Sequence, residues 1–332
     1  MTVRTYLYDA EGNDQEVELS ADRIRTIEER QLLWIDVDEP EPAALKDLAR
    51  LLDLDDASLG TIARARGSRV ENYGHYTQLA VATAPATVDN GNGSYRPKSS
   101  PDGETFLHFL IAERWLLTVH DGQINFIEDF RSQDRAETTI GALTTYNFAA
   151  SLLDVHLQAY FDEVGRVEAL VDKLDEQALT NPSSTTLLGR MVALRRRVSR
   201  LRSSLASQRG VFYALSRPDL QLLTESGAAP HFQVLIGRFE RAIDEVEHTR
   251  DLVVGSFELF ASRSAQQTND LVKTLTYLTA VIGVCAAVAG VFGMNFETGV
   301  WGSGDAGFYV TVITLSALVL ASTVIARWRG WI

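Results

Sequence analysis

The spacing of apolar positions changes character along this chain. Over the first 142 or so residues, apolar groups come in short runs of strand length. TVRTYLYD (2–9), LLWIDVD (32–38), YTQLAVATAPA (76–86), ETFLHFLIAER (104–114) and WLLTVHDG (115–122) are rich in aliphatic and aromatic residues and predict strands. EPAALKDLARLLDL (41–54) and DASLGTIARAR (56–66) predict short helices. The polar stretch VDNGNGSYRPKSSPDG (88–103) predicts a loop.

From about residue 143 the period becomes three to four, and helices follow. The first is broken by NPSS (181–184), which can also cap the next. On that second helix Leu187, Met191, Leu194, Val198, Leu201 and Leu205 form a predicted buried side. Its basic cluster, Arg195, Arg196, Arg197, Arg200 and Arg202, reads either as a nucleic-acid face or as a charged face paired with acidic helices. A third helix begins near His231 and meets no proline before Asn295. Phe239, Ile243, Val246, Val253, Phe257 and Phe260 keep a heptad-like seam along it, which implies packing against copies of itself. Such a helix would run to about 95 Å.

Two runs near the C-terminus, 274–294 and 306–326, contain no charged residue. Each is long enough to cross a bilayer's hydrocarbon core as a helix. Lys273 precedes the first and Arg327 and Arg329 follow the second, while the linker carries Glu297 and Asp305 and no basic residue. The positive-inside rule places both termini in the cytoplasm and the linker outside, and Trp301, Trp328 and Trp331 fall at interfacial positions. The pattern therefore predicts an α+β protein in three parts. These are a cytoplasmic α/β domain (1–142), a cytoplasmic helical region with a long stalk helix (143–272), and a transmembrane region (273–332). The last divides into spans at about 273–294 and 306–326 and an outer loop at 295–305.

In the first span Thr276, Thr279, Gly283, Ala286, Gly290 and Gly293 recur three and four residues apart, all small or hydroxylated. Such a face either permits close helix packing in lipid or, if several copies ring an axis, lines a narrow pore. The span ends in Gly293-Met294-Asn295, which reads as a helix C-cap or as something more specific. A ring of Asn295 amides offers donors and acceptors to the water shell of a cation, which matters most for magnesium, since it dehydrates reluctantly. Gly293 leaves room beside such a ring, and Glu297 and Asp305 would concentrate cations at its mouth.

Composition narrows the field further. A formal net charge of −13 disfavours nucleic acid as a partner and suits metal cations. The single cysteine, Cys285, permits no internal disulfide, and no signal peptide opens the chain. Walker A and nucleophile-elbow motifs are absent, so ATP-driven transport and hydrolase chemistry lack their parts, and neither an enzyme nor a bound cofactor is expected. The six histidines show no zinc-finger or HExxH spacing, and His108 and His120 read as structural. Asp244, Glu247, His248 and Asp251 share one face of the long helix, as metal ligands or as a solvated surface.

Gly293-Met294-Asn295 closing the first of two C-terminal spans, the acidic outer loop and the basic tail resemble the CorA family of divalent metal ion transporters, which includes a zinc-transporting branch. TNDLVKTLT (268–276) resembles the family's approach to its pore helix, and WIDVDEP and WLLTVHDG resemble strands of its cytoplasmic domain. The resemblance implies a funnel-shaped homopentamer in the cell (inner) membrane, with the first span lining a pore. It implies a selectivity ring at Asn295, supported by Gly293 and Met294 and binding metal through hydration water. It also maps pore-lining positions onto Asn269, Val272, Leu275, Thr279, Gly283 and Ala286, with Val272 and Leu275 as an apolar constriction. The outer loop has TGVWGSG where magnesium members carry Met-Pro-Glu, and FQVLIGRFERA lacks the aspartate of a regulatory site. Magnesium, also cobalt or nickel, is the expected cargo. Zinc carried with protons is the alternative, and a membrane-anchored interaction protein is the alternative of another class.

Overall fold

The computed structural model describes residues 1–64, 67–84, 87–89, 95–97, 105–122, 124–133, 138–180, 185–215, 217, 227–293 and 304–330. The chain divides into two compact units, Met1–Leu174 with Thr185–Ser256, and Asp175–Ser184 with Phe257–Ile332.

The first unit is built on a seven-stranded sheet. Its strands are β1 (Thr2–Asp9), β2 (Gln15–Glu16), β3 (Gln31–Asp38), β4 (Arg69–Asn72), β5 (Tyr76–Ala82), β8 (Phe106–Ala112) and β9 (Trp115–His120), in spatial order β2-β1-β3-β9-β8-β5-β4. Among the described residues only β3 and β9 pair in parallel, with Leu33 opposite Trp115 and Asp38 opposite His120. The polar stretch expected as a loop contains a small ribbon, β6 (Thr87–Asp89) paired antiparallel with β7 (Tyr95–Pro97). Gly, Ser, Asn and Pro make up ten of its sixteen residues, and no apolar alternation announces the strands.

β3 is buried along nearly its whole length, which explains why it reads as a continuous apolar run. On one face Leu33, Ile35 and Val37, with Leu117 and Val119 of β9, meet Leu45, Leu48 and Leu52 of α2 (Pro42–Leu52) and Ile62 of α3 (Asp56–Arg64). A short α1 (Ala21–Arg25) precedes β3. On the other face Trp34 stands edge-on to Phe130 of α4 (Asn125–Gln133) and Phe148 of α5 (Thr145–Thr180). The Trp34 indole N–H donates to Thr118 Oγ1 at 3.0 Å, so burying the ring strands no donor.

α5, α6 (Thr185–Ala214) and the first part of α7 (Ala229–Phe292) complete this unit. Every predicted inner residue of α6, from Leu187 to Leu205, is buried. Of the basic cluster, Arg197 is buried and meets Glu163 of α5, and the more exposed Arg202 meets Glu247 of α7. On α7 the buried ladder is Phe239, Ala242, Val246, Thr249, Val253 and Ser256. Ile243, Phe257 and Phe260, assigned to the same seam from sequence, are only half-buried. α7 meets α5 at Thr249, whose single hydroxyl proton is shared between Glu168 Oε1 (3.0 Å) and the Glu245 carbonyl of its own turn (2.8 Å).

Asp36 and His120 close the carboxyl ends of the two parallel strands. His120 Nε2 faces Asp36 Oδ1 at 3.2 Å, and Nδ1 faces the Gly122 carbonyl at 2.7 Å and Asp38 Oδ1 at 3.4 Å. All of these partners accept, so the ring satisfies both sides only as an imidazolium with a proton on each nitrogen. Asp36 also receives the Thr118 hydroxyl at 2.6 Å and Arg131 of α4 at 3.2 Å. Arg131 in turn contacts Glu128, which faces Arg4 of β1. Burial by itself lowers the His120 pKa; the hydrogen bond and charge of Asp36, with Gly122 and Asp38, outweigh it and leave the pKa above 6.5. A pKa raised on folding contributes stability that is complete below the unfolded value of 6.5 and is lost as pH rises through the folded value. The melting temperature of the full chain should therefore fall from pH 6.5 upward more steeply than that of His120→Gln. Parallel profiles would show that His120 does not titrate there. His108, in β8, is buried without such a partner, and desolvation with the nearby Arg69 holds its pKa at about 4.

Candidate ion-conduction site

The second unit contains the apolar end of α7 and α8 (Gly304–Trp328). Both helices are long and apolar enough to cross a membrane, and no residue of either most apolar window is buried within the chain. Core helices of a soluble protein would be covered.

The two helices touch along one narrow seam. On α7 the partly covered positions are Thr274, Tyr277, Val281, Cys285 and Val288; on α8 they are Gly307, Thr311, Leu315, Val319 and Ser322, with Ala326 buried. Small side chains on α8 let the helices approach without a hydrophobic driving force. Tyr277 places its hydroxyl 2.7 Å from Thr323 Oγ1. This face was not assigned from sequence, because its valines look like any other lipid-facing residues.

Asn269, Val272, Leu275, Thr279, Gly283 and Ala286 are all exposed within the chain, as are Thr276 and Gly290. At the 3.6-residue pitch of an α-helix this set centres roughly 170° from the face that packs on α8. The small residues thus leave one side of α7 open, and their smoothness is not used for packing within the chain. A Cβ added at Gly283 or Gly290 would meet nothing within 4 Å.

The hydroxyls on this face have a fixed polarity. Thr276 Oγ1 donates to the Val272 carbonyl and Thr279 Oγ1 to the Leu275 carbonyl, each at 2.8 Å. Each proton is thereby used, and the oxygen presents lone pairs outward. Waters around a cation point their hydrogens away from the metal, so an outward acceptor is the group that such a shell needs. Toward the N-terminal end of the face, Val272 and Leu275 project 54% and 64% exposed. Lys273, one residue after Val272, pairs with Asp270 at 2.9 Å.

At the other end α7 closes at Gly293, whose N–H bonds the Ala289 carbonyl at 2.9 Å and the Gly290 carbonyl at 3.2 Å. Met294, Asn295, Glu297 and Trp301 lie outside the described residues, as does Trp331. Asp305 stands exposed in the first turn of α8. On the stalk part of α7, Glu247 is engaged by Arg202 and Arg250, and Asp251 by Arg250; Asp244 and His248 are exposed. Among the described residues, no three His, Cys, Asp or Glu side chains converge to hold a metal ion.

Comparison with known proteins joins these two helices to the sheet that precedes them. The family described as CorA-like Mg2+ transporter protein matches residues 29–328. The chain is 31% identical over 147 residues to the cobalt/magnesium transport protein CorA of Thermotoga maritima; the alignment spans 44% of this chain and 41% of that relative. It is 23% identical over 330 residues to the zinc transport protein ZntB of Yersinia enterocolitica, covering 97% of this chain and 93% of that one. The complete structure of the CorA magnesium transporter from Methanocaldococcus jannaschii matches with a TM-score of 0.73 over 100% of both chains at 19% identity, a likeness of fold. With one family match running from β1's neighbour strand through both apolar helices, the chain belongs to the CorA family, whose members are metal-ion transporters and not enzymes.

Proposed function

We propose that this chain moves divalent cations across the cell membrane, magnesium foremost, with cobalt and nickel as related cargo. In this reading five copies gather round an axis, their α7 helices inside and their α8 helices toward lipid. The observation that carries it is the opposition of faces on α7. One side packs on α8, and the opposite side is smooth, open and furnished with outward-facing hydroxyl oxygens. A hydrated ion can use such acceptors on a smooth, open face.

Asn295 would form the outer selectivity ring, beside Gly293 and Met294, with Glu297 and Asp305 drawing cations to its mouth. Val272 and Leu275 would form the inner constriction, where apolar rings close a pore by shedding water. Lys273, Arg327 and Arg329 support cytoplasmic placement of both termini. Zinc is the second reading. It is favoured by the near full-length similarity to a zinc transport protein and by an outer loop reading TGVWGSG.

Purified protein in liposomes, loaded with magnesium- or zinc-sensitive dye, separates the two. Magnesium entry independent of a proton gradient is expected; zinc entry that collapses with the gradient would establish the second reading. The detergent-solubilised particle should have several times the mass of one 36.7 kDa chain. A single-chain mass would instead indicate a membrane-anchored interaction protein.

A further inference from the structure

Tyr277 interrupts an otherwise apolar and small-residue seam between α7 and α8. Its hydroxyl lies 2.7 Å from Thr323 Oγ1 and 3.4 Å from Ser322 Oγ. Thr323 Oγ1 donates its one proton to the Val319 carbonyl at 2.8 Å, and Ser322 Oγ donates to the same carbonyl at 2.9 Å. With both of those protons committed, Tyr277 is the donor, and the direction of the contact is fixed.

Its position along the helix gives the contact a consequence. Tyr277 lies four residues beyond Lys273 and Thr323 four residues before Arg327, so the bond joins the helices at matching depth near one membrane surface. A tyrosine at that depth commonly turns its hydroxyl to interfacial water. Here it is turned to the partner helix. Leu275 is two residues away and Val272 five, and at helical pitch both project from roughly the opposite side of α7. A tie on the α8 side therefore sets where the constriction points.

Resting on the pore reading above, we infer that the Tyr277 hydroxyl, held by Thr323 and Ser322, is the latch that keeps Val272 and Leu275 turned into the conduction path. Tyr277 is a positioning residue, and it touches no ion. Without the hydroxyl, α7 is free to turn and tilt against α8, and the apolar ring opens more often.

The test uses the full chain in liposomes and reads basal magnesium flux. Tyr277→Phe should raise flux about three- to tenfold, the range expected when one interhelical hydrogen bond in a membrane is lost. Thr323→Val should raise it similarly. Thr323→Ser, which keeps the hydroxyl, should match wild type. Tyr277→Phe combined with Thr323→Val should exceed neither single variant, because both remove one contact; generic loosening of packing would add instead. Leu275→Ser serves as the arm for the underlying reading, since wetting the constriction raises flux whatever holds it. If Leu275→Ser raises flux and Tyr277→Phe leaves it unchanged or lowers it, the latch is wrong and the pore stands. If Leu275→Ser has no effect, the constriction itself is misassigned.

Discussion

Replacing Asn295 with alanine should abolish divalent-cation flux while leaving the protein folded and assembled. The residue follows in sequence the helix whose open face carries Thr279, Gly283 and Ala286. In the proposed ring an amide there would hold an ion through its first-shell waters, and each lost hydrogen bond to a charged cluster is worth about 1.5–3 kcal/mol, at least tenfold in occupancy. In a ring of copies the losses multiply, so flux below a tenth of wild type is expected even if they add only partly. Asn295→Asp is the informative companion. It keeps the acceptor oxygens and adds charge, so it should retain cation binding while altering discrimination among cations. Flux dyes read both variants, and an unchanged particle mass shows that assembly survives. Unimpaired flux in Asn295→Ala would remove the selectivity ring from the mechanism.

Much of this arrangement was legible before any coordinates, for identifiable reasons. The two spans announce themselves because charge disappears from runs of bilayer length, and α7 because nothing along it stops a helix. β3 was legible because a strand covered on both faces is apolar at most positions, with Asp36 the buried exception. What the sequence hid was pairing. Nothing in TVITLSALVLAST says that Leu315, Val319 and Ser322, and not their neighbours, will meet α7, because lipid-facing and helix-facing residues are equally apolar. The inner ladder of α7 was missed at Ala242, Thr249 and Ser256 for a related reason. Heptad reading favours large apolar side chains, and at these positions the buried residue is small or hydroxylated. The Asp36–His120 pair escaped because its members lie 84 positions apart and meet only through the parallel register of β3 and β9. Isolated aspartate and histidine residues in strands carry no spacing signal.

Arg197→Met should destabilise the first unit more than any other single change considered. Glu163 and Arg197 face each other from α5 and α6, each about 3% exposed, with Arg197 Nε 2.5 Å from Glu163 Oε1. Arg166 reaches the other carboxylate oxygen at 2.9 Å but is 61% exposed, so its charge is screened by solvent. Methionine keeps an unbranched side chain at this buried position and removes the charge and donors. Glu163 must then stay ionised in a buried seam without its Arg197 partner, or take up a proton. Breaking a buried pair from one side costs about 3–5 kcal/mol, and the Arg166 contact places this case near the lower end. In a unit of this size that corresponds to a melting temperature lower by about 6–12 °C. The double variant Glu163→Leu with Arg197→Met removes both charges and should recover most of the loss, because an intact buried pair contributes little net stability over apolar residues of similar volume. Thermal unfolding of the full chain in detergent measures all three proteins. A melting temperature for Arg197→Met within a degree or two of wild type would mean that water reaches Glu163 and that the α5–α6 seam is less dry than its burial indicates.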